Sequence, residues 1–334
     1  IYLPNKKYKF NSISKYEPLS RSYFKMIEIL NDFNLLRDTK NVNIACLAEG
    51  PGGFIEAIIN YRKQFKNIKD NINAITLSSS NKDVPGWYKA QNFLNKNKNI
   101  NISYGLDNTG NIYNIDNIIN FSKLFDKEKA TLVTADGGFD FSYNFNKQEQ
   151  LSYRILFCEI VSAFSIQKIG GTFICKFFDM FTEITQSLIY LLSHFYKTIY
   201  ITKPYTSRPA NSEKYIVCID FNGIDYNYLN KLFILVKSWD IISNKKMFIT
   251  QLFENNFNDL FFTNISNINI EYYNIQLKVI KETLNIIDDL NTLNENDIDN
   301  HNINLKKHVK LSYDWCKKYK VSVNYNSKYI QLLK

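Results

Sequence analysis

From about Val42 to Phe221, short apolar runs alternate with stretches whose apolar residues recur at helical spacing. That is the pattern of an α/β fold, a parallel sheet with helices on both faces. Strands are predicted at Val42–Leu47, Asn73–Leu77, Asn101–Tyr104, Ala130–Ala135, Thr172–Lys176, Lys197–Thr202 and Lys214–Phe221, and helices over Gly53–Lys66, Gln148–Lys168 and Phe181–Phe195. Upstream, Leu19–Leu36 repeats apolar residues at helical spacing behind Ser20, a residue suited to an N-cap, and Lys25 rides on that helix. The last third reads differently: Tyr226–Asn255 and Ile270–Leu290 are helical, Asn291–Asn304 is a polar, Asn-rich loop, and Leu305–Lys320 is a basic, partly aromatic helix. The expected division is an N-terminal helical segment 1–40, an α/β domain 41–222, and a mainly helical extension 223–334 packed on it.

The strand ends carry the chemistry. In NIACLAEGPGGF a strand runs into a glycine-rich turn, Glu49 to Phe54, and then into the helix FIEAIINYRKQF. Glycines let backbone approach a ligand, and the helix N-terminus offers unpaired N–H groups, so the turn marks a nucleotide-like site. Its spacing is neither GxGxxG nor GxxxxGK[ST], which argues against dinucleotide and P-loop folds. A tight strand-to-helix turn without ligand is the competing explanation. After the second strand, NAITLSSSN has no acid where many such folds grip a ribose. After the third, GLDNTGNIYN offers Asp107, Asn111 and Ile112 as contacts for a nucleoside, against the plainer reading of an Asx- and Gly-rich turn.

Two further strands end on ionisable residues: TLVTADGGF on Asp136 and GGTFICKFFD on Lys176. Both belong at the carboxyl edge of the sheet, where open α/β folds bind ligands. Lys176 interrupts an apolar strand end between Cys175 and Phe177, which favours function over a solvated surface charge. Glu213 precedes its strand, KYIVCIDF, so it reaches the same edge only if that strand runs antiparallel to the rest.

Composition narrows the classes. The 334 residues, 45% hydrophobic and 15% aromatic, suffice for a buried core. No apolar run of about 18 residues occurs and IYLPNKKYKF lacks the features of a signal peptide, so a membrane role is not expected. The chain opens on Ile1 rather than Met, which suggests a piece of a longer polypeptide. Net charge is +9, which favours a polyanionic partner, although the Asn-, Lys-, Ile-, Tyr- and Phe-rich composition is also what AT-rich codons produce. The five cysteines, Cys46, Cys158, Cys175, Cys218 and Cys316, form no CxxC pair and read as reduced thiols of an intracellular, reducing compartment, cytoplasmic or nuclear. His194, His301 and His308 stand apart from cysteines and carboxylates, so no metal site is expected.

Taken together, SRSYFKM, EGPGGF, TADGGF, GGTFICKFFD and KPYTSRPANSEKY resemble, in family order over about Ser20 to Phe221, the FtsJ/RrmJ-like 2′-O-methyltransferases. The resemblance is strongest to the branch that methylates the first transcribed nucleotide of capped mRNA. It implies a Rossmann-like methyltransferase fold with a mostly parallel seven-stranded sheet and one antiparallel strand, S-adenosyl-L-methionine as methyl donor, the 5′ end of capped mRNA as partner, and other capping or transcription proteins as neighbours. Carried over residue by residue, it implies a tetrad of Lys25, Asp136, Lys176 and Glu213 with Lys176 as general base. It sets the methionine moiety against Glu49, Gly50, Pro51, Gly52, Gly53, Phe54 and Ile55, the adenosine near Asn111 and Ile112, and Asp136 beside the cofactor. Asn146, Lys147 and Gln148 are similar to RNA-touching positions, and Arg21 and Arg208, flanking tetrad members, suit phosphate contacts. Glu49 departs from an alanine common in cellular relatives and Asn111 from an acidic residue. A lysine accepts a proton only when neutral; lowering its pKa from about 10.4 to roughly 8 costs about 3 kcal/mol. Lys25 and a sulfonium push that way, while Asp136 and Glu213 oppose it. The alternatives are a 2′-O-methyltransferase of ribosomal or transfer RNA, and an inactive methyltransferase-like subunit that binds RNA or scaffolds a capping complex.

Overall fold

The computed structural model describes residues 1–3, 11–78, 84–138, 144–244, 249–254, 257–292 and 298–333. Its centre is a seven-stranded sheet of order β3-β2-β1-β4-β5-β7-β6. The strands are β1 (Asn43–Leu47), β2 (Asn71–Ile75), β3 (Ile100–Ser103), β4 (Ala130–Ala135), β5 (Gln167–Phe177), β6 (Tyr196–Thr202) and β7 (Lys214–Phe221). Strands β1 to β5 pair in parallel, and β7 lies antiparallel between β5 and β6. The topology that Glu213 demands is therefore present: the start of β7 meets the ends of the parallel strands, with Lys176 opposite Tyr215 and Phe177 opposite Lys214.

Period-two alternation along the strands splits the core in two. Ile44, Cys46, Ile72, Leu132, Ile174 and Val217 face α1 (Ser22–Asp32) and α2 (Gly53–Arg62). Ala45, Leu47, Val133, Phe173, Cys175 and Ile216 face the other way, toward α4 (Ile115–Ser122), α5 (Gln148–Ile166) and α6 (Glu183–Phe195). A short α3 (Gln91–Lys96) precedes β3. The last third supplies α7 (Tyr226–Asn244), α8 (Asp259–Thr292) and α9 (Ile298–Lys318). It covers both faces. Leu232, Val236 and Trp239 of α7 join the α5 side, whereas Val309 and Trp315 of α9, with Tyr319 just after it, join α1. The Trp315 ring meets Phe24 edge-on at 5.5 Å. Backbone bonds from Lys15 N–H to Ser322 and from Asn324 N–H to Ile13, both 2.8 Å, tie the tail to the segment before α1.

Most strand ends fall within a residue or two of expectation, and three differences have physical causes. Strand β5 starts at Gln167 because it pairs with Ala130 before a register break; the slack around Gly170, whose φ is +77°, loops outward. Helix α1 is shorter than expected, and Ser20 is not its cap: the N-cap is Arg21, with no side-chain cap bond, and the Ser20 hydroxyl lies 2.6 Å from that of Ser22. The Asn-rich loop expected at Asn291–Asn304 is largely helical, since α8 runs to Thr292 and α9 starts at Ile298; residues 293–297 lie outside the described residues. An Asn costs only a few tenths of a kcal/mol relative to other polar residues in a helix, less than continuing an existing helix returns.

Candidate active site

The sheet reverses its winding between β1 and β4, so the loops after these two strands diverge and leave a crevice at their carboxyl ends. The glycine turn follows β1 and Asp136 follows β4, so both border that crevice.

Four charged side chains from four segments meet beside it as two ion pairs. Lys176 Nζ, on β5, lies 3.3 Å from Asp136 Oδ1 and donates to the Asp136 carbonyl at 2.8 Å. Lys25 Nζ, on α1, lies 2.6 Å from Glu213 Oε1. Tyr215 links the pairs: its hydroxyl donates to Asp136 Oδ1 at 3.0 Å, and Lys25 Nζ lies 5.9 Å from its ring centroid. Burial alone would lower the Lys176 ammonium, but Asp136, Glu213 and Glu159 outweigh it and hold its pKa above the ordinary lysine value. Burial pushes Glu213 up, but Lys25 and Lys176 outweigh it and hold its carboxyl below the usual range. In the free protein the charged forms of Lys176 and Glu213 are therefore favoured.

Outer contacts fix the loop that presents Glu213. The Ser207 hydroxyl donates to Glu213 Oε1 at 2.8 Å, and Lys203 Nζ donates to the carbonyls of Asn211 and Glu213 at 2.6 and 2.8 Å. Burial, with the neighbouring Lys214 charge, brings the Lys203 pKa down to about 8. From α1, one turn beyond Lys25, the buried Glu28 accepts from Tyr205 N–H at 2.7 Å, Thr206 N–H at 3.1 Å and the Thr206 hydroxyl at 2.7 Å. One helix therefore both carries Lys25 and grips the loop that carries its partner.

The glycine turn is shaped by close packing. Gly52 takes φ +99° as it caps α2. A Cβ on Gly53 would stand 2.2 Å from the hydroxyls of both Ser20 and Ser22, so the turn is seated against the start of α1. Gly53→Ala is expected to cost about 1–3 kcal/mol through this overpacking, read as a lower denaturation midpoint. The side chains of Phe54 and Ile55 belong to the core. Glu49 is buried: its Oε1 accepts from the Thr134 hydroxyl at 2.6 Å, while Oε2 has no hydrogen-bond partner. Burial pushes its carboxyl well above the usual range. Trp87 Nε1, from the segment packed on Gly52, is also buried without a partner.

After β3, Asp107 organises its own loop. Its carboxylate is occupied by Thr109 N–H at 2.9 Å and the Thr109 hydroxyl at 2.7 Å, with Asn114 and Asn117 amides at 2.9 and 2.8 Å, and these bonds hold it well below the usual range. The Asn111 side chain accepts from Tyr113 N–H at 3.0 Å, and Ile112 is buried in the core. The loop is pressed against the residue that follows β2, since a Cβ on Gly110 would stand 1.9 Å from the Thr76 carbonyl.

Arg21 and Arg208 lie near each other: partial desolvation of the Arg21 guanidinium, and after it the Arg208 charge, lowers the Arg21 pKa. Asn146 and Lys147 are exposed in a short 3₁₀ turn before α5, and the Gln148 side chain accepts from the Ser212 hydroxyl at 2.6 Å beside Glu213. Past Lys176, the chain turns into α6 and α8 packs across it, leaving a cleft of about 730 Å³ whose lining includes Phe181, Glu183, Phe257, Phe262 and Tyr273. A smaller hollow of about 240 Å³ shares Phe181 and Tyr273 with it and reaches Lys214, next to Glu213. Sequence reasoning missed Tyr215 and Glu159. Tyr215 follows Glu213 by two residues in a strand, and Glu159 is an acid set in the apolar run Ile155–Ile166.

Residues 18–221 match the family model described as FtsJ-like methyltransferase. Among characterised proteins, the cap-specific mRNA (nucleoside-2′-O-)-methyltransferase 1 of Trypanosoma cruzi is 37% identical over 183 residues, 54% of this chain and 49% of that protein. The protein of the same name from Trypanosoma brucei brucei is 34% identical over 181 residues, 54% of this chain and 47% of its own. That from Homo sapiens is 35% identical over 198 residues, 57% of this chain and 23% of its own. The chain therefore spans about half or less of the length of these relatives.

Proposed function

This chain belongs to the FtsJ-like methyltransferase family, and from that premise we propose that it methylates the ribose 2′-OH of the first transcribed nucleotide of capped mRNA. The observation that carries the reading is the pair of lysine–acid contacts, Lys176 with Asp136 and Lys25 with Glu213, at the crevice that the glycine turn borders.

S-adenosyl-L-methionine supplies an electrophilic methyl group on a sulfonium sulfur when bound. The residues suit it: beside the glycine turn, Glu49 Oε2 and Trp87 Nε1 are buried polar atoms without hydrogen-bond partners, a setting for a ligand that carries both charge and hydrogen-bonding groups. In this reading Glu49 to Ile55 hold the methionine portion through backbone and the Glu49 carboxyl, and the Asn111–Ile112 loop lies against the adenosine. Lys176 takes the proton of the attacking 2′-OH. Asp136, Lys25 and Glu213 set its orientation and charge, and Tyr215, a donor whose hydroxyl is held well above its usual pKa by burial, keeps Asp136 aimed. Arg21 and Arg208 meet backbone phosphates, and Asn146, Lys147 and Gln148 meet the nucleotides that follow.

The cap itself is supported by the cleft beyond Lys176. A 7-methylguanine ring is cationic, so it favours aromatic faces with a carboxylate at hand, as Phe181, Phe262, Tyr273 and Glu183 provide. The relatives' names point the same way. The test is label transfer to short capped RNAs with 2′-O-methyl blocks at successive positions. Transfer should vanish when the first nucleotide is blocked and persist when only the second is. Equal turnover on uncapped RNA would move the substrate to another RNA class, and no transfer to any RNA would favour a binding subunit.

A further inference from the structure

Glu159 sits mid-way along α5, fully buried, directly beneath the paired Asp136 and Lys176. Its Oε1 accepts the backbone N–H of Gly137 at 3.0 Å, and its Oε2 lies 3.4 Å from the Cys175 thiol, one residue before Lys176. The glycine after Asp136 exists for this contact: a Cβ at Gly137 would stand 2.2 Å from Glu159 Oε1 and 2.9 Å from Ile155. The next glycine makes room on the opposite side, where a Cβ at Gly138 would stand 3.0 Å from Lys176 Nζ. A carboxyl so placed in an apolar helix costs stability unless its contacts are needed.

We propose that Glu159 is a positioning residue for methyl transfer: it anchors the Asp136–Gly137 turn from below, so that the Asp136 carbonyl and carboxylate hold Lys176, and its charge bears on Lys176 through the same contact. The proposal rests on the reading of Lys176 as the base. The mechanical part follows from the Gly137 bond, because the Asp136 carbonyl that receives Lys176 belongs to the same peptide unit as that N–H. The electrostatic part follows from what surrounds the carboxyl: Lys176 and Cys175 from β5, Asp136 from the turn after β4, and Tyr113 from the segment before α4. Burial pushes the Glu159 carboxyl up to about 8, with Lys176 pulling against it. Glu159 is thus ionised over the alkaline range in which Lys176 gives up its proton, and its negative charge then makes that loss harder.

Glutamine separates the two parts, since it keeps an acceptor for Gly137 N–H but never ionises. Glu159→Ala should lower kcat about tenfold or more, with KM for S-adenosyl-L-methionine nearly unchanged. Glu159→Gln should recover most of that loss, and the rising limb of its kcat–pH profile should lie at lower pH than in the unmutated protein. The same displacement should appear without RNA, as a lower titration midpoint of the Lys176 side-chain NMR signal in the full chain. A Gln variant as impaired as the Ala variant, or a Lys176 titration unmoved by Glu159→Gln, would overturn the proposal. If the Ala variant does not fold, the Gln variant and its Lys176 titration decide alone. Because the titration needs no substrate, its outcome stands apart from whether capped RNA is methylated.

Discussion

Lys176→Ala should lower kcat for methyl transfer by about 10³-fold, inside the 10²–10⁴-fold range of a lost general base, while S-adenosyl-L-methionine binding stays nearly unchanged. The lysine is on β5 and bonds Asp136, whereas the glycine turn follows β1, so truncating the lysine removes the proton acceptor and leaves the turn in place. Lys176→Arg should fail as completely, because a guanidinium keeps its proton at any workable pH. In the free protein Asp136 and Glu213 hold the Lys176 pKa above the ordinary value, so the neutral amine is scarce at neutrality. The rate should therefore climb with pH until the lysine titrates in the substrate complex, and the Ala variant should lose that climb. A cationic donor nearby and exclusion of water both act to bring the pKa down. Isothermal titration for the cofactor and single-turnover label transfer for the chemistry separate the two claims. Near-normal turnover in Lys176→Ala would remove it from the role of base.

Much of this site was legible because its residues occupy positions with few structural explanations. Lys176 and Asp136 end apolar strands, and a strand end in a parallel sheet has one place to go. Glu213 needed only the added inference that its strand runs antiparallel, and β7 does. The helix that carries Lys25 was readable, but not its docking, which depends on Glu28 reaching a loop 177 residues later. Tyr215 and Glu159 escaped for the same reason. A tyrosine in a strand and an acid in a helix look ordinary until the fold sets them beside Asp136. Asp107 shows the converse: the sequence offered it a ligand role and an Asx-turn role alike, and the four local hydrogen bonds that give it the second could not be read from the residues alone. The last third defeated boundary reading because its helices are amphipathic on Ile, Leu and Tyr among many Asn, a weak contrast, and because its role in the core is settled by contacts with α1 and α5 at long range.

Arg62→Ala should destabilise the protein by about 3–5 kcal/mol, the cost of stranding one partner of a buried ion pair. Arg62 closes α2 and is buried against Asp70, with Nε to Oδ2 at 2.7 Å and Nη2 to Oδ1 at 2.9 Å. Its remaining N–H groups donate to the carbonyls of Leu36 and Lys40, both at 2.7 Å, and to that of Asp38. Asp70 in turn accepts Val42 N–H at 3.0 Å. One side chain thus satisfies three carbonyls of the connection between α1 and β1, the stretch that joins Lys25's helix to the strand that leads into the glycine turn. Replacing a buried pair by two apolar residues is often neutral, but Arg62→Leu with Asp70→Leu should remain clearly destabilised here, because it leaves three carbonyls and the Val42 N–H to find other partners at about 1–3 kcal/mol for each that stays buried. Arg62→Lys should recover little, since one ammonium cannot span two carboxylate oxygens and three carbonyls. Urea unfolding of the three variants measures the order. A double variant as stable as the unmutated chain would mean that water replaces those bonds and that the connection is held by packing alone. If the expected order appears, the loosened connection should also lower kcat more than it raises KM for S-adenosyl-L-methionine, because the Lys25–Glu213 contact crosses from the helix it fixes to the loop of β7, whereas the glycine turn remains attached to β1.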